Sequence, residues 1–149
     1  MKQIKTTIII IMATMFVACT KKTDDLGSAG TASITGLEVS RADGVRIYES
    51  TTVVHNAPGG TFTIRIKGNS TATCGWKASA TFHKWPDHTQ LVQGLGLQEK
   101  DISFPTDQMT ISINSSGVSL GQVVEVSLTF TPYSPYSGNQ RLVFLIKKT

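Results

Sequence analysis

Two short stretches bring together side chains suited to holding a polar ligand. In the first, His83, Trp85, Asp87, His88 and Gln90 crowd around a Trp-Pro pair; in the second, Tyr133 and Tyr136 sit in Pro132-Tyr133-Ser134-Pro135-Tyr136, followed closely by Asn139 and Gln140. An exposed aromatic ring can stack on the C–H face of a pyranose while amides and carboxylates fork to adjacent hydroxyls. The prolines stiffen both loops and lower the entropic cost of binding. Each ring also has a purely structural reading: Trp85 as a plug at the end of a β-sandwich, the tyrosines as a corner contact.

The same residues are poorly arranged for metal or catalytic chemistry. His83 and His88, with Asp87 adjacent, match neither a helical His-x-x-x-His pair nor a finger motif, and Trp85-Pro86 interrupts regular geometry between them. No calcium loop of alternating oxygen ligands is present. Glycoside hydrolysis needs two carboxylates across a cleft, and Asp87, Glu99, Asp101 and Asp107 lie near one another in sequence with no pattern that pairs them. There is no Gly-x-Ser-x-Gly elbow or phosphate loop. The expectation is a non-enzyme without cofactor or metal.

The elements that must position these loops read as strands. Phe62, Ile64 and Ile66 alternate with Thr63, Arg65 and Lys67; Trp76, Ala78, Ala80 and Phe82 alternate with Lys77, Ser79 and Thr81. Met109 to Asn114 and Val124 to Thr131 repeat the period of two, and the parity places Trp76 inside. Ile34 to Ser40, Val45 to Tyr48, Thr51 to His55 and Arg141 to Lys148 are further candidates. The last is apolar on both sides, which predicts a central strand or one covered on both faces. Turns at Asp43-Gly44, Pro58-Gly59-Gly60, Gly68-Asn69-Ser70, Ser116-Gly117 and Ser137-Gly138-Asn139 separate them. This predicts an all-β fold, an antiparallel β-sandwich of about seven to eight strands, with a small barrel as the other topology. His83 to Asp107 breaks the alternation; Leu91, Val92, Leu95 and Leu97 could form a helical turn or an extra strand there.

The N-terminus resembles a bacterial lipoprotein signal. Lys2 and Lys5 precede the apolar run Ile8 to Val17, which Phe16-Val17-Ala18-Cys19 closes; a run of about ten residues is too short to span a bilayer. The usual Leu three residues before the cysteine is Phe16 here. The resemblance implies cleavage before Cys19, acylation of that residue, and membrane attachment through it. An ordinary secretory signal is the competing reading. Residues 1–18 are then the signal, 19–33 the anchor and a flexible tether rich in Gly, Ser, Ala and Thr, and 34–149 the domain. Asp24-Asp25 resembles the acidic export signal of Bacteroidetes surface lipoproteins, which places the protein on the outer membrane facing outward, with the periplasmic face as the other placement.

Loss of Lys2 and Lys5 lowers the formal charge from +4 to +2, because 14 basic residues become 12 against 10 acidic ones. The remaining positive residues are scattered, which argues against nucleic acid as a partner. The chain has two cysteines, Cys19 and Cys74. Acylation of the first predicts Cys74 as an unpaired, small, buried apolar residue rather than a nucleophile.

Ala57-Pro58-Gly59-Gly60-Thr61-Phe62-Thr63-Ile64, Gly68-Asn69-Ser70, Gly75-Trp76-Lys77-Ala78-Ser79 and the closing Gly138-Asn139-Gln140-Arg141-Leu142-Val143-Phe144 are similar to the strands of BACON domains, Ig-like modules of carbohydrate-utilisation proteins. The long insert holding Lys84-Trp85-Pro86 departs from that family. The resemblance implies an Ig-like sandwich with a non-catalytic role in glycan or mucin contact. Three functions are therefore carried forward. The first is a displayed recognition domain whose partner is a glycan or another surface protein. The second is an assembly subunit that pairs through a strand edge, for which Arg141 to Lys148 is the candidate. The third is a small hydrolase built on the insert.

Overall fold

The computed structural model describes residues 30–89 and 98–149. Within them the chain forms β1 (Gly30–Thr31), β2 (Ile34–Arg41), β3 (Arg46–Ile47), β4 (Val54–Ala57), β5 (Thr61–Ser70), β6 (Trp76–Lys84), β7 (Gln98–Ile102), β8 (Thr106–Ser112), β9 (Val123–Pro132), β10 (Tyr136–Ser137) and β11 (Gln140–Lys148), with a short 3-10 turn at Pro58–Gly60. A five-stranded sheet in the order β4-β11-β9-β6-β7 faces a four-stranded sheet in the order β3-β2-β5-β8. Pairing is antiparallel except that β4 runs parallel to β11 and β1 parallel to β10. The result is a β-sandwich.

Alternation builds the core. Ala78, Ala80 and Phe82 of β6 stand opposite Phe130, Leu128 and Val126 of β9, and Val126 stands opposite Phe144 of β11. From the other sheet Phe62 and Ile64 of β5 pair with Ile111 and Met109 of β8. All of these are buried. Trp76 is inside, as its parity requires: it is 1% exposed, its indole N–H donates to Ser70 Oγ at 2.7 Å, and its ring meets Phe104 edge-on. Burying a large ring with its one donor satisfied avoids the penalty of an orphaned polar group. Near Gly36, whose φ is +62°, the β2–β5 register shifts between Thr35 and Glu38, as a bulge requires.

Several boundaries differ from expectation. Strand β4 starts at Val54 rather than Thr51 because Ser50 Oγ accepts from the backbone N–H groups of Thr52 and Val53, which turns the chain there. Of Val45 to Tyr48, only Arg46–Ile47 pairs. The 83–107 insert contains β7 and the start of β8; Leu91, Val92, Leu95 and Leu97 lie outside the described residues. Residues 30–32, placed in the linker by the sequence, are part of the fold: Gly30–Thr31 pairs with Tyr136–Ser137, and Ala32 is buried with its N–H donating to Ser137 O. Cys74 is buried and disulfide-bonded, not an unpaired thiol. Its paired state corrects the sequence expectation; Cys19 lies outside the described residues.

Strand β11 is interior, flanked by β9 and β4, and beyond β4 the Ser50 N–H donates to Val143 O. At the opposite side of the sandwich the edge of β8 is covered by side chains from β7. Gln98 Nε2 donates to Ser112 O at 2.7 Å, Ser112 N–H donates to Gln98 Oε1 at 2.8 Å, and Lys100 Nζ donates to Gln108 O. A charged, side-chain-capped edge resists pairing with another chain.

Candidate functional site

Parity turns Lys77, Ser79, Thr81 and His83 of β6 away from the core, and the register sets beside them Asp101 and Glu99 of β7 and Glu125 of β9. This outer face of the five-stranded sheet carries two polar groupings. They lie at opposite ends of β6, about 20 Å apart for a strand rising about 3.3 Å per residue.

At one end Lys77, Glu99, Lys100, Asp101 and Tyr133 line an open depression of about 640 Å³. Lys77 Nζ pairs with Glu99 Oε1 at 3.0 Å. Tyr133 follows β9, where its backbone N–H donates to Gly75 O, and its hydroxyl donates to Asp101 Oδ1. Partial burial, this hydrogen bond and the negative charges of Asp101 and Glu99 push the phenol up to about 12. The hydroxyl therefore stays a donor at any physiological pH. On the other side of β7, Lys100 Nζ reaches Asp107 Oδ1 at 2.5 Å. Burial pushes the Asp107 carboxyl up, but Lys100 and the backbone N–H groups of Ser103 and Gln108 outweigh it and hold the group below the usual carboxylate range.

At the other end β6 runs into a turn. Lys84 N–H donates to Thr89 O, Trp85 N–H donates to Val123 O of β9, and the Asp87 carboxylate accepts from Thr89 N–H. The Trp85-Pro86 bond is cis. His88 has a φ of +55°, and its ring stands edge-on to Trp85 with centroids 5.0 Å apart. Glu125, 7% exposed, lies directly opposite His83 on the ladder. His83 Nδ1 is 3.8 Å from Glu125 Oε1, and His88 Nδ1 is 3.2 Å from Glu125 Oε2.

The structure thus brings His83, Trp85 and His88 together and adds Glu125, which sequence reasoning missed because its strand is remote in the chain. Asp87 belongs to the turn but serves its backbone. Gln90 lies outside the described residues. The second constellation is split: Tyr133 faces Asp101, whereas Tyr136 is half-buried against the core with its hydroxyl 3.0 Å from Thr73 Oγ1, a bond that lowers its pKa. Gln140 is structural, accepting from Ile34 N–H and donating to Ile34 O. Lys77, Glu99 and Asp101, treated in the sequence as a strand residue and scattered acids, are the actual neighbours of Tyr133.

No family model, curated protein or solved structure matches this chain. Its chemistry must be read from the groupings themselves. Among the described residues no group of three or more His, Cys, Asp or Glu could hold a metal ion, and no helix is long and apolar enough to cross a membrane.

Proposed function

We propose that this chain is an exported, lipid-anchored envelope protein of BACON-like type, whose sandwich is displayed for non-catalytic recognition of glycans. The observation that carries the reading is the Tyr133 depression. An aromatic ring with its phenol oxygen, two carboxylates and two ammonium groups line one open concavity, and this set of groups suits the C–H faces and hydroxyl pairs of a sugar. Its open shape fits a chain of sugars passing over the surface better than a small molecule enclosed for reaction. The interior position of β11 and the capped edge of β8 weigh against assembly through those strands.

Export rests on the N-terminal pattern, and two chemistries of Cys19 are compatible with it. A thioether at Cys19 and an intrachain disulfide at Cys74 draw on the same sulfur, since the chain has only two cysteines. Both products belong to a compartment beyond the cytosol. The acylated form is the one we propose for the anchored protein; in any one chain it and the disulfide that this structure holds at Cys74 exclude each other.

Printed arrays of mucin and plant glycans, probed with the soluble domain, test the recognition reading. Binding is expected, and Tyr133→Ala should weaken it roughly three- to tenfold while leaving the melting temperature nearly unchanged. Absence of binding, or unchanged binding by that variant, would overturn it. Retained binding by Tyr133→Ala with loss in Trp85→Ala would move the site to the other end of the sheet.

A further inference from the structure

We propose that Glu125, with His83 and His88, forms an acid-closed clasp that fastens the Trp85 turn onto the outer face of the sheet. This inference is independent of the glycan reading. A nearly buried carboxylate is costly unless its charge is compensated, and among the described residues the ion-pair partners of Glu125 are these two imidazoles, one on each carboxylate oxygen. Imidazole is the side chain whose ordinary titration falls between pH 5 and 8. Compensation is therefore strong when the histidines are protonated and weak when they are neutral.

The surroundings contain few competing charges. On β6, Thr81 and Trp85 flank His83; on β11, Leu145 stands opposite Glu125, with Val143 and Lys147 as its diagonal neighbours, and Val54 of β4 lies beyond Leu145. In the turn, Asp87 is engaged with Thr89 N–H. His83 Nδ1, 3.8 Å from the carboxylate, makes no hydrogen bond to it, so the closer contact is that of His88. His88 is in the left-handed region, which an L-residue occupies only where its contacts hold it. With Trp85 N–H bound to Val123 O, the contact between His88 and Glu125 gives the turn two attachments to β9.

Amide hydrogen exchange at Lys84 and Trp85, corrected for intrinsic rates, reads the opening of this turn. Between pH about 8 and about 5.5 the opening should become about fivefold rarer. Glu125→Gln should abolish the difference and His88→Asn should reduce it to the part that His83 carries, asparagine being chosen because it tolerates positive φ. Equal protection at both pH values, a pH dependence undiminished in His88→Asn, or one that survives in Glu125→Gln, would overturn the proposal. If Glu125→Gln lowers the melting temperature so far that the fold is in doubt, the surface variant His88→Asn decides alone.

Discussion

His55 packs its imidazole against the ring of Phe62, with centroids 5.9 Å apart and planes tilted by 46°. Phe144 meets the same imidazole edge-on from β11. Inward parity on the short strand β4 puts a titratable group among aromatic rings, and burial together with the positive charge of Arg41 lowers its pKa below 6.5, against the opposing pull of Asp43. A histidine held neutral in the folded chain contributes stability that is complete above its unfolded value and is lost as pH falls through 6.5 toward the folded value. The melting temperature should therefore fall on acidification below about pH 6.5, and His55→Phe should flatten that slope. The clasp at Glu125 acts with the opposite sign, so the difference between wild type and variant isolates His55. An unchanged slope in His55→Phe would show that other groups set it.

Trp76 tests the parity on which the core rests. The ring is buried, and its N–H is satisfied by Ser70. Truncation leaves a cavity. Trp76→Ala should destabilise the domain by about 3–5 kcal/mol in denaturant titrations. A loss below about 1 kcal/mol is inconsistent with a ring packed at this depth.

The strands that alternate cleanly were legible. Phe62 to Ile66, Trp76 to Phe82 and Val124 to Phe130 alternate apolar with polar residues, and each became a strand with the expected face inside. Strand β7 was not legible, since Gln98-Glu99-Lys100-Asp101 has little intrinsic β preference and is held by its ladder with β6. Site residues followed the same division. Trp85 and His88 are close in sequence and stayed close in space. Glu125 meets His83, and Asp101 meets Tyr133, only through the register of strands far apart in the chain. Register is set by the packing of the whole sheet, and no local pattern encodes it.

Gln98 offers a test of the capped edge. Its amide satisfies both the N–H and the C=O of Ser112, standing in for a neighbouring strand. Gln98→Ala removes both bonds at once. The expected cost is about 1–2 kcal/mol of stability, together with concentration-dependent self-association in light scattering as the β8 edge opens. A variant that is destabilised yet remains monomeric would show that Lys100 and Asp107 protect the edge without Gln98.

Cys19 and Cys74 put the proposed lipid anchor to the test. Acylation of Cys19 makes membrane attachment depend on that one residue, because several acyl chains contribute about 0.8 kcal/mol per buried methylene. Cys19→Ser should abolish palmitate labelling and release the protein from the membrane fraction. Cys74→Ser should leave both unaffected, because a thioether at Cys19 does not use the second sulfur. The disulfide alternative predicts the reverse: no labelling in the wild type, a non-reducing gel mobility that shifts on reduction, and the same loss of that shift in either variant. Intact mass of the mature chain reads both chemistries in one measurement, since the acyl groups add mass whereas a disulfide removes two hydrogens. A mature protein that begins before Cys19 and carries no lipid would overturn the anchored reading while leaving the sandwich and its Tyr133 depression as they are.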